Sequence, residues 1–402
     1  MYNLFFLLSS RSDCCTMLEI KFMQRAIRLF LFLFFLIAFL SLLKVLLLNL
    51  YPDFSQYYWG LKTISQGLNP YISSQNALTP TTYPPFVLFL LSPFGFLPFV
   101  WAEKLWTFMS LILLFSSVFL IFKIYKQKLF SNLGFLILGL VSLSFPVKFT
   151  LGMGQINNLI LFLFVLSVYL LQKKKNYLSS FSLSLSLAIK FFPVFFPLYF
   201  ILKRRWKILF FTVITFCGFY LIAYLLDPKI NFYFYKYILP TFLSGWKTDY
   251  YNQSLAGFIG RSFAAGVFRD FLKNFLPLIF ILISFFVIIK SLKNEQMQNM
   301  HLGLLISLNL IVNSFSWQHH FVFMIFPFLV TFFFVKKIKN NFWFLLTIFI
   351  SYLLISFNLV NPNAVPILLR SHVFYGAVLM WALQVFLIWR DSPKLQLRFP
   401  SA

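Results

Sequence analysis

The sequence predicts an all-α, polytopic integral membrane protein, and three observations support the prediction. Apolar residues make up 60% of the 402 residues and charged residues only 11%, whereas soluble proteins average about 45–50% apolar and about 25% charged residues. Apolar runs of about 17–25 residues, the length that spans a bilayer core as a helix, recur along the chain. The basic residues lie in short clusters between these runs, which is the positive-inside pattern of cytoplasmic loops.

The charge balance fits a membrane partner better than a nucleic acid. There are 34 Lys and Arg residues against 9 Asp and Glu, for a net charge of +25. A nucleic-acid-binding protein gathers such charge on one face of a soluble domain, whereas here it alternates with apolar runs. The bilayer is therefore the predicted partner, and no nucleic acid is expected.

The basic clusters divide the chain into about ten predicted crossings with both termini in the cytoplasm. Helices are expected because every backbone group in lipid must be satisfied internally. The predicted crossings are residues 29–50, 101–122, 132–150, 156–172, 207–226, 271–290, 301–316, 319–335, 341–358 and 372–389.

Two further apolar stretches do not fit as simple crossings. Residues 84–99 contain four prolines, and residues 177–202 are interrupted at Lys190 and Pro193 and lie between two basic clusters. Re-entrant or broken helices would keep every basic cluster on the cytoplasmic side, and they are tolerated where they are buried in protein or line a cavity. Twelve full crossings are the alternative, so we expect about 10–12 transmembrane helices.

This topology predicts one membrane domain and places four of the nine acidic residues outside. Residues 1–28 form a cytoplasmic segment, 29–390 the transmembrane domain and 391–402 a cytoplasmic tail. The long external loops are 51–83 and 227–270, and they contain Asp53, Asp227, Asp249 and Asp270. The topology was assigned without using these four residues, so their location on one side of the membrane is an independent observation.

Asp53 is the candidate general base, because a carboxylate at the end of a membrane helix is partly desolvated. The alternative is an ordinary interfacial Asp or a helix cap. Tyr83, in the motif Thr82-Tyr83-Pro84-Pro85, is a candidate for binding the substrate. The alternative is that this motif only marks a loop entering a helix.

Polar residues in two apolar regions are candidates for binding an anion. Gln155 and Asn157 follow Gly152 and Gly154 at the predicted start of a helix, where anions bind; a simple helix cap is the alternative. Lys190 lies within an apolar stretch, so it either has a partner or extends to the interface.

Two later segments add amide, guanidinium and imidazole groups. Asn252, Gln253 and Arg261 could hold sugar hydroxyls or a phosphate, or belong to an ordinary loop. His319 and His320 could contact a phosphate or simply lie at the interface. Adjacent histidines on a helix point about 100° apart, so we predict no metal at this pair.

Together these motifs resemble glycosyltransferase family 87. The resemblance is in their order: an Asp after the first span, Gly67-Leu68-Asn69-Pro70-Tyr71, Tyr83-Pro84-Pro85-Phe86, Gly154-Gln155-Ile156-Asn157, Leu187-Ala188-Ile189-Lys190-Phe191-Phe192-Pro193, Asn252-Gln253-Ser254-Leu255 and Ser316-Trp317-Gln318-His319-His320.

The resemblance implies a GT-C-like fold and the transfer of a sugar from a polyprenyl-phosphate carrier on the outer face of the cytoplasmic membrane. Asp53 matches the family's proposed base, and His319 and His320 match its histidine pair near the donor phosphate. The family-level expectation is mannose, or another hexose, moved to a glycolipid or polysaccharide acceptor by an inverting reaction. A single acidic residue in the first loop, Asp53, favours a reaction without metal or other cofactor.

Two other classes remain open from the sequence. A transporter or lipid flippase would also contain broken helices and a lone lysine, although its polar residues usually lie at the bilayer midplane in repeated halves. A non-catalytic envelope-assembly protein is the third possibility. Asp227 and Asp249 are the alternative bases if Asp53 is not the base.

Overall fold

A computed structural model describes the main chain of residues 2–48, 52–72, 80–244 and 248–391, and the side chains of residues 22–48, 52–72, 80–241 and 248–391. Parts of both long external loops and all of the predicted tail except Asp391 lie outside these ranges.

Within the described residues the protein is all-α, as predicted, and contains no β-strand. The α-helices are α1 (Tyr2–Leu43), α2 (Pro52–Ser65), α3 (Pro85–Leu90), α4 (Phe99–Ile124), α5 (Asn132–Leu143), α6 (Phe145–Gly152), α7 (Asn157–Gln172), α8 (Asn176–Ile189), α9 (Phe195–Leu202), α10 (Trp206–Leu226), α11 (Pro228–Tyr233), α12 (Leu239–Ser244), α13 (Leu255–Ser262), α14 (Val267–Ser291), α15 (Gln298–Val312), α16 (Ile325–Val335), α17 (Phe342–Ser356) and α18 (His372–Arg390).

The helices show a multi-pass membrane protein. Each of the ten predicted crossings coincides with a helix or a helix pair. Six helices in the described ranges are long and apolar enough to span a membrane, or seven if α5 and α6, bent by 55°, form one span. Because α7, α15 and α17 have only 15 or 16 residues, the count of ten crossings stays a prediction.

The exposed helices have apolar surfaces that suit lipid rather than water. In α10 and in α14, only 17% of the most apolar 18-residue stretch is buried inside the protein. Phe210, Leu221 and Leu282 are among the exposed side chains. By contrast, α15 is almost entirely buried and packs against α14, α16 and α18. The bundle therefore has a protein-filled centre and a lipid-compatible periphery.

Both apolar stretches that were predicted to be broken are broken. Residues 84–99 form only the short α3, a 3₁₀ segment Ser92–Phe96 and the start of α4. Helix α8 ends at Ile189, Lys190 is extended (φ −157°, ψ 129°), and α9 begins at Phe195. Pro193 explains the break, because a proline removes a backbone donor and disfavours helical geometry in the residue before it.

The α8–α9 pair begins and ends at the same end of the bundle. The turn before α8 and the turn after α9 border one cavity, which residues from the end of α4 and the start of α15 also line. This arrangement agrees with the predicted re-entrant pair. The opposite end, near Lys190, meets the start of α7.

Cysteine labelling in a background without native cysteines tests this arrangement and its orientation. We expect Lys174→Cys and Lys207→Cys to react with an impermeant maleimide only after the membrane is opened, since both lie at the basic end. Exposed Thr82→Cys should react in intact cells. Labelling of Lys174→Cys and Lys207→Cys from opposite sides would contradict the re-entrant pair, and reaction of both in intact cells would reverse the orientation.

Candidate active site

Asp53 lies in the first turn of α2, held against the loop that follows α6. The backbone N–H groups of Asp53 and Phe54 donate to the carbonyl oxygen of Met153 at 3.0 and 3.4 Å. The Asp53 side chain is buried, and its Oδ2 atom has no hydrogen-bond partner among the described residues. The start of a helix is a favourable place for a carboxylate, because the free N–H groups there carry partial positive charge.

The loop Gly154–Asn157 supplies the next polar groups. Gly154 has φ +65°, the left-handed conformation that glycine adopts at no steric cost, and its carbonyl accepts a 2.8 Å bond from Nε1–H of Trp106. The Gln155 side chain lies against the Asp53 carboxyl, and the Tyr83 hydroxyl donates to Gln155 Oε1 at 3.1 Å. Burial raises the pKa of Tyr83, so its hydroxyl stays protonated and available as a donor.

Lys190, at the break between α8 and α9, connects this loop to the histidine segment. Its Nζ donates to Asn157 Oδ1 at 3.3 Å and lies 2.6 Å from His320 Nε2. Lys190 also interacts electrostatically with Asp53. The helix break therefore serves to bring a lysine, which is rare in membrane segments, to defined polar partners.

The two histidines lie on a 3₁₀ segment, Gln318–Met324, rather than on a regular α-helix. The backbone carbonyl of His319 accepts from Thr150 Oγ1 at 2.8 Å and from Asn157 Nδ2 at 3.4 Å. His320 Nδ1 lies 3.2 Å from the backbone nitrogen of Trp317, and its Nε2 atom accepts from the Lys190 ammonium when the ring proton is on Nδ1.

The structure thus brings together seven of the ten predicted site residues, although they lie far apart in the sequence. They are Asp53, Tyr83, Gln155, Asn157, Lys190, His319 and His320.

The other three predicted site residues, Asn252, Gln253 and Arg261, bind the surrounding loops. Asn252 forms an antiparallel bridge with Trp317, and its side chain donates to Ser314 O at 2.9 Å. The Gln253 amide donates to Tyr250 O at 2.6 Å and Arg370 O at 2.8 Å. These contacts favour a role in holding the histidine segment, and direct binding of a substrate by these residues stays a prediction.

Arg261 likewise stabilises neighbouring backbone. Its guanidinium donates to the carbonyls of Asp249 and Asn252 at 2.8 and 2.7 Å and to Ser371 Oγ at 2.8 Å. Burial lowers the pKa of Arg261 to about 10, so the group remains charged at neutral pH.

Replacing Arg261 by Gln tests this positioning role. Loss of three charge-assisted bonds should lower the free energy of unfolding by about 2–3 kcal/mol, seen as an earlier thermal transition in detergent. The control is Lys229→Gln, which removes an exposed charge from the same external region. An unchanged transition with a raised substrate KM would instead indicate direct contact with the substrate.

Two residues in the first half of α4 were not among the predicted site residues. Trp106 stacks on Phe54 and holds Gly154. Glu103 is 2% exposed, lies 3.3 Å from Lys104, and has an Oε2 atom without a partner among the described residues. Glu103 could have been recognised in the sequence as a charged residue inside the predicted crossing 101–122. Such a residue is unfavourable in a membrane unless it has a function or a partner.

Several buried polar atoms in this region have no partner among the described residues. They include Asp53 Oδ2, His319 Nδ1, Ser316 Oγ and Gln318 Oε1. Because native proteins leave few buried polar atoms unpaired, their concentration at one end of the bundle indicates a site for a polar ligand. A carboxylate, an ammonium and two imidazoles there can accept a proton and bind an anion.

The fold and the site define a polytopic membrane protein with a cluster of buried carboxylate, amide, lysine and imidazole groups at one end of its bundle. A family model for glycosyltransferase family 87 matches residues 82–314, more than half of the chain, and the chain belongs to that family. No curated protein matches the chain. Of the classes left open by the sequence, family membership selects the glycosyltransferase.

Proposed function

We propose that the protein transfers a hexose, with mannose as the first expectation, from a polyprenyl-phosphate carrier to a glycolipid or polysaccharide acceptor. The observation that supports this proposal most is the network joining Asp53, Gln155, Asn157, Lys190 and His320. It combines a carboxylate with an unpartnered oxygen and a cationic pair, the two functions that transfer from a sugar phosphate requires.

In the proposed reaction the acceptor oxygen attacks the anomeric carbon as the bond from that carbon to the phosphate oxygen breaks. Asp53 accepts the proton of the attacking hydroxyl. Lys190 and His320 stabilise the negative charge that develops on the leaving polyprenyl phosphate. One displacement inverts the anomeric configuration. Among the described residues, no three of His, Cys, Asp and Glu lie close enough together to hold a metal ion, and we propose a reaction without one.

The placement of the site supports a lipid-linked donor. Helix α7 has 16 residues and is about 24 Å long, shorter than the roughly 30 Å hydrocarbon core of a bilayer. If its basic end lies at the cytoplasmic edge of that core, Asn157 and Lys190 lie about 6 Å inside the outer edge, close enough for a lipid-linked phosphate to reach them. We therefore propose an active site on the outer face of the cytoplasmic membrane, with both termini inside.

Transfer by the purified protein in liposomes tests the proposal. Radiolabelled polyprenyl-phosphate mannose, polyprenyl-phosphate glucose and nucleotide sugars would be supplied separately, each with a lipid extract from the native host as acceptor. We expect label to move only from a polyprenyl-phosphate sugar, into a product of inverted configuration. Transfer from a nucleotide sugar, or retention of configuration, would contradict the proposal.

A further inference from the structure

A second polar region lies at the other end of the bundle, around a cavity of about 1220 Å³. We call it the basic cavity. Six cationic side chains line it against one acidic side chain, Glu295; they are Lys126, Lys174, Arg204, Arg205, Lys207 and Lys337. It is distinct from the candidate active site, because the two lie at opposite ends of α7 and α8.

The positive charge of the basic cavity is mostly unpaired. Glu295 is bound by Lys203 at 2.9 Å and Arg205 at 3.1 Å. In the described part of the chain, none of Lys126, Lys174, Arg204, Lys207 and Lys337 forms an ion pair.

Helix dipoles do not account for this excess of cations. Four helices end at the basic cavity (α4, α7, α9 and α16), and three begin there (α8, α10 and α15). A helix end carries about half a charge, negative at the C-terminus and positive at the N-terminus. These contributions sum to only about half a negative charge, whereas the lining side chains leave a surplus of five positive charges.

Three of the cations occupy backbone positions that suit other residues better. Lys126, Lys174 and Arg204 have φ of 53°, 57° and 52°, each just after a helix end, where glycine or asparagine is preferred. A lysine or arginine in this conformation is strained. The positive-inside rule requires basic residues in these turns, but it does not require them at strained positions around one cavity.

We propose that the basic cavity binds a phosphate-bearing ligand presented at the cytoplasmic face. Lysine and arginine are the usual partners of phosphate groups. The volume exceeds that of a typical small-molecule pocket, about 300–1,000 Å³, so it can hold a headgroup rather than a lone ion. Ile124, Leu171 and the exposed Trp206 also line it, which suits a ligand with an apolar part. The inference is independent of the transfer reaction proposed above.

The test measures binding of dihexanoyl phosphatidic acid to the full chain in an uncharged detergent, with dihexanoyl phosphatidylcholine as the reference. The variant K126N/K174N/R204N removes three charges and places asparagine where φ is positive. The control K128N/K293N/K339N removes three exposed charges from turns at the same end that do not line the cavity. We expect roughly 100-fold weaker binding for the first variant at low salt and little change for the control, since each nearby cation contributes about 1 kcal/mol.

Equal weakening in both variants, or equal binding of the two lipids by the wild type, would overturn the proposal. If the first variant does not fold, K207Q/K337Q replaces it, and we expect a smaller loss of phosphatidic acid binding because only two charges are removed. Inorganic phosphate is titrated in parallel. If the wild type binds inorganic phosphate and the cavity variant does not, the ligand is the phosphate group itself. If the variant loses only the binding of phosphatidic acid, the ligand is a lipid headgroup.

Discussion

Replacing Asp53 by Asn should lower turnover by roughly 100- to 10,000-fold, the usual contribution of a general base. Asparagine keeps the shape of the side chain, and the backbone bonds from residues 53 and 54 to Met153 remain. The donor KM and the thermal transition should therefore change little. Initial rates of transfer at saturating donor measure the effect.

The control for this prediction is Asp249→Asn, which changes an exposed carboxylate in the other long external loop. Its turnover should stay near that of the wild type. If Asp53→Asn remains active while Asp249→Asn does not, the base is Asp249; the same result with Asp227→Asn would assign it to Asp227. Asp227 is the less favoured of these two, because its carboxylate already caps α11 by accepting from Ile230 N–H at 3.0 Å.

Replacing Lys190 by Met should lower turnover by about 100- to 1,000-fold, the range for removing one preorganised donor to a developing negative charge. Methionine retains much of the aliphatic length, and the contact between the Lys190 amine and His320 Nε2 is lost. Lys190→Arg should restore part of the activity, because it returns a cation that can bind phosphate.

Lys148→Met is the matched control. Lys148 lies in α6 and donates to Ser41 Oγ of α1 at 3.1 Å, and α1 contributes no residue to the candidate site. A purely structural role for Lys190 would give a different result: turnover would fall together with the thermal transition, and Lys190→Arg would not restore it.

The fold class and the broken helices were predictable because they depend on local chemistry. The apolar runs and the basic clusters define the helices, and Lys190 and Pro193 interrupt an otherwise apolar segment. The sequence could also single out six of the seven residues that the structure brings together, because carboxylate, amide, lysine and histidine side chains are unfavourable near a bilayer without a partner or a function. Tyr83 was a candidate only through its motif, Thr82-Tyr83-Pro84-Pro85.

The partners of these residues were not predictable, because they depend on contacts between distant segments. Arg261 looks like a phosphate ligand in the sequence, yet its donors bind carbonyls of residues 249 and 252 and the Ser371 hydroxyl. Similarly, His320 lies on a 3₁₀ segment rather than on the regular helix assumed from the sequence. That geometry directs its Nε2 atom at Lys190.

A structure of the protein with a non-hydrolysable polyprenyl-phosphate sugar tests the central claim most directly. The account predicts the phosphate within hydrogen-bonding distance of Lys190 Nζ and His320 Nε2, with the anomeric carbon facing the Asp53 side of the network. A phosphate out of reach of both groups, or a donor headgroup held in the basic cavity at the opposite end, would contradict it.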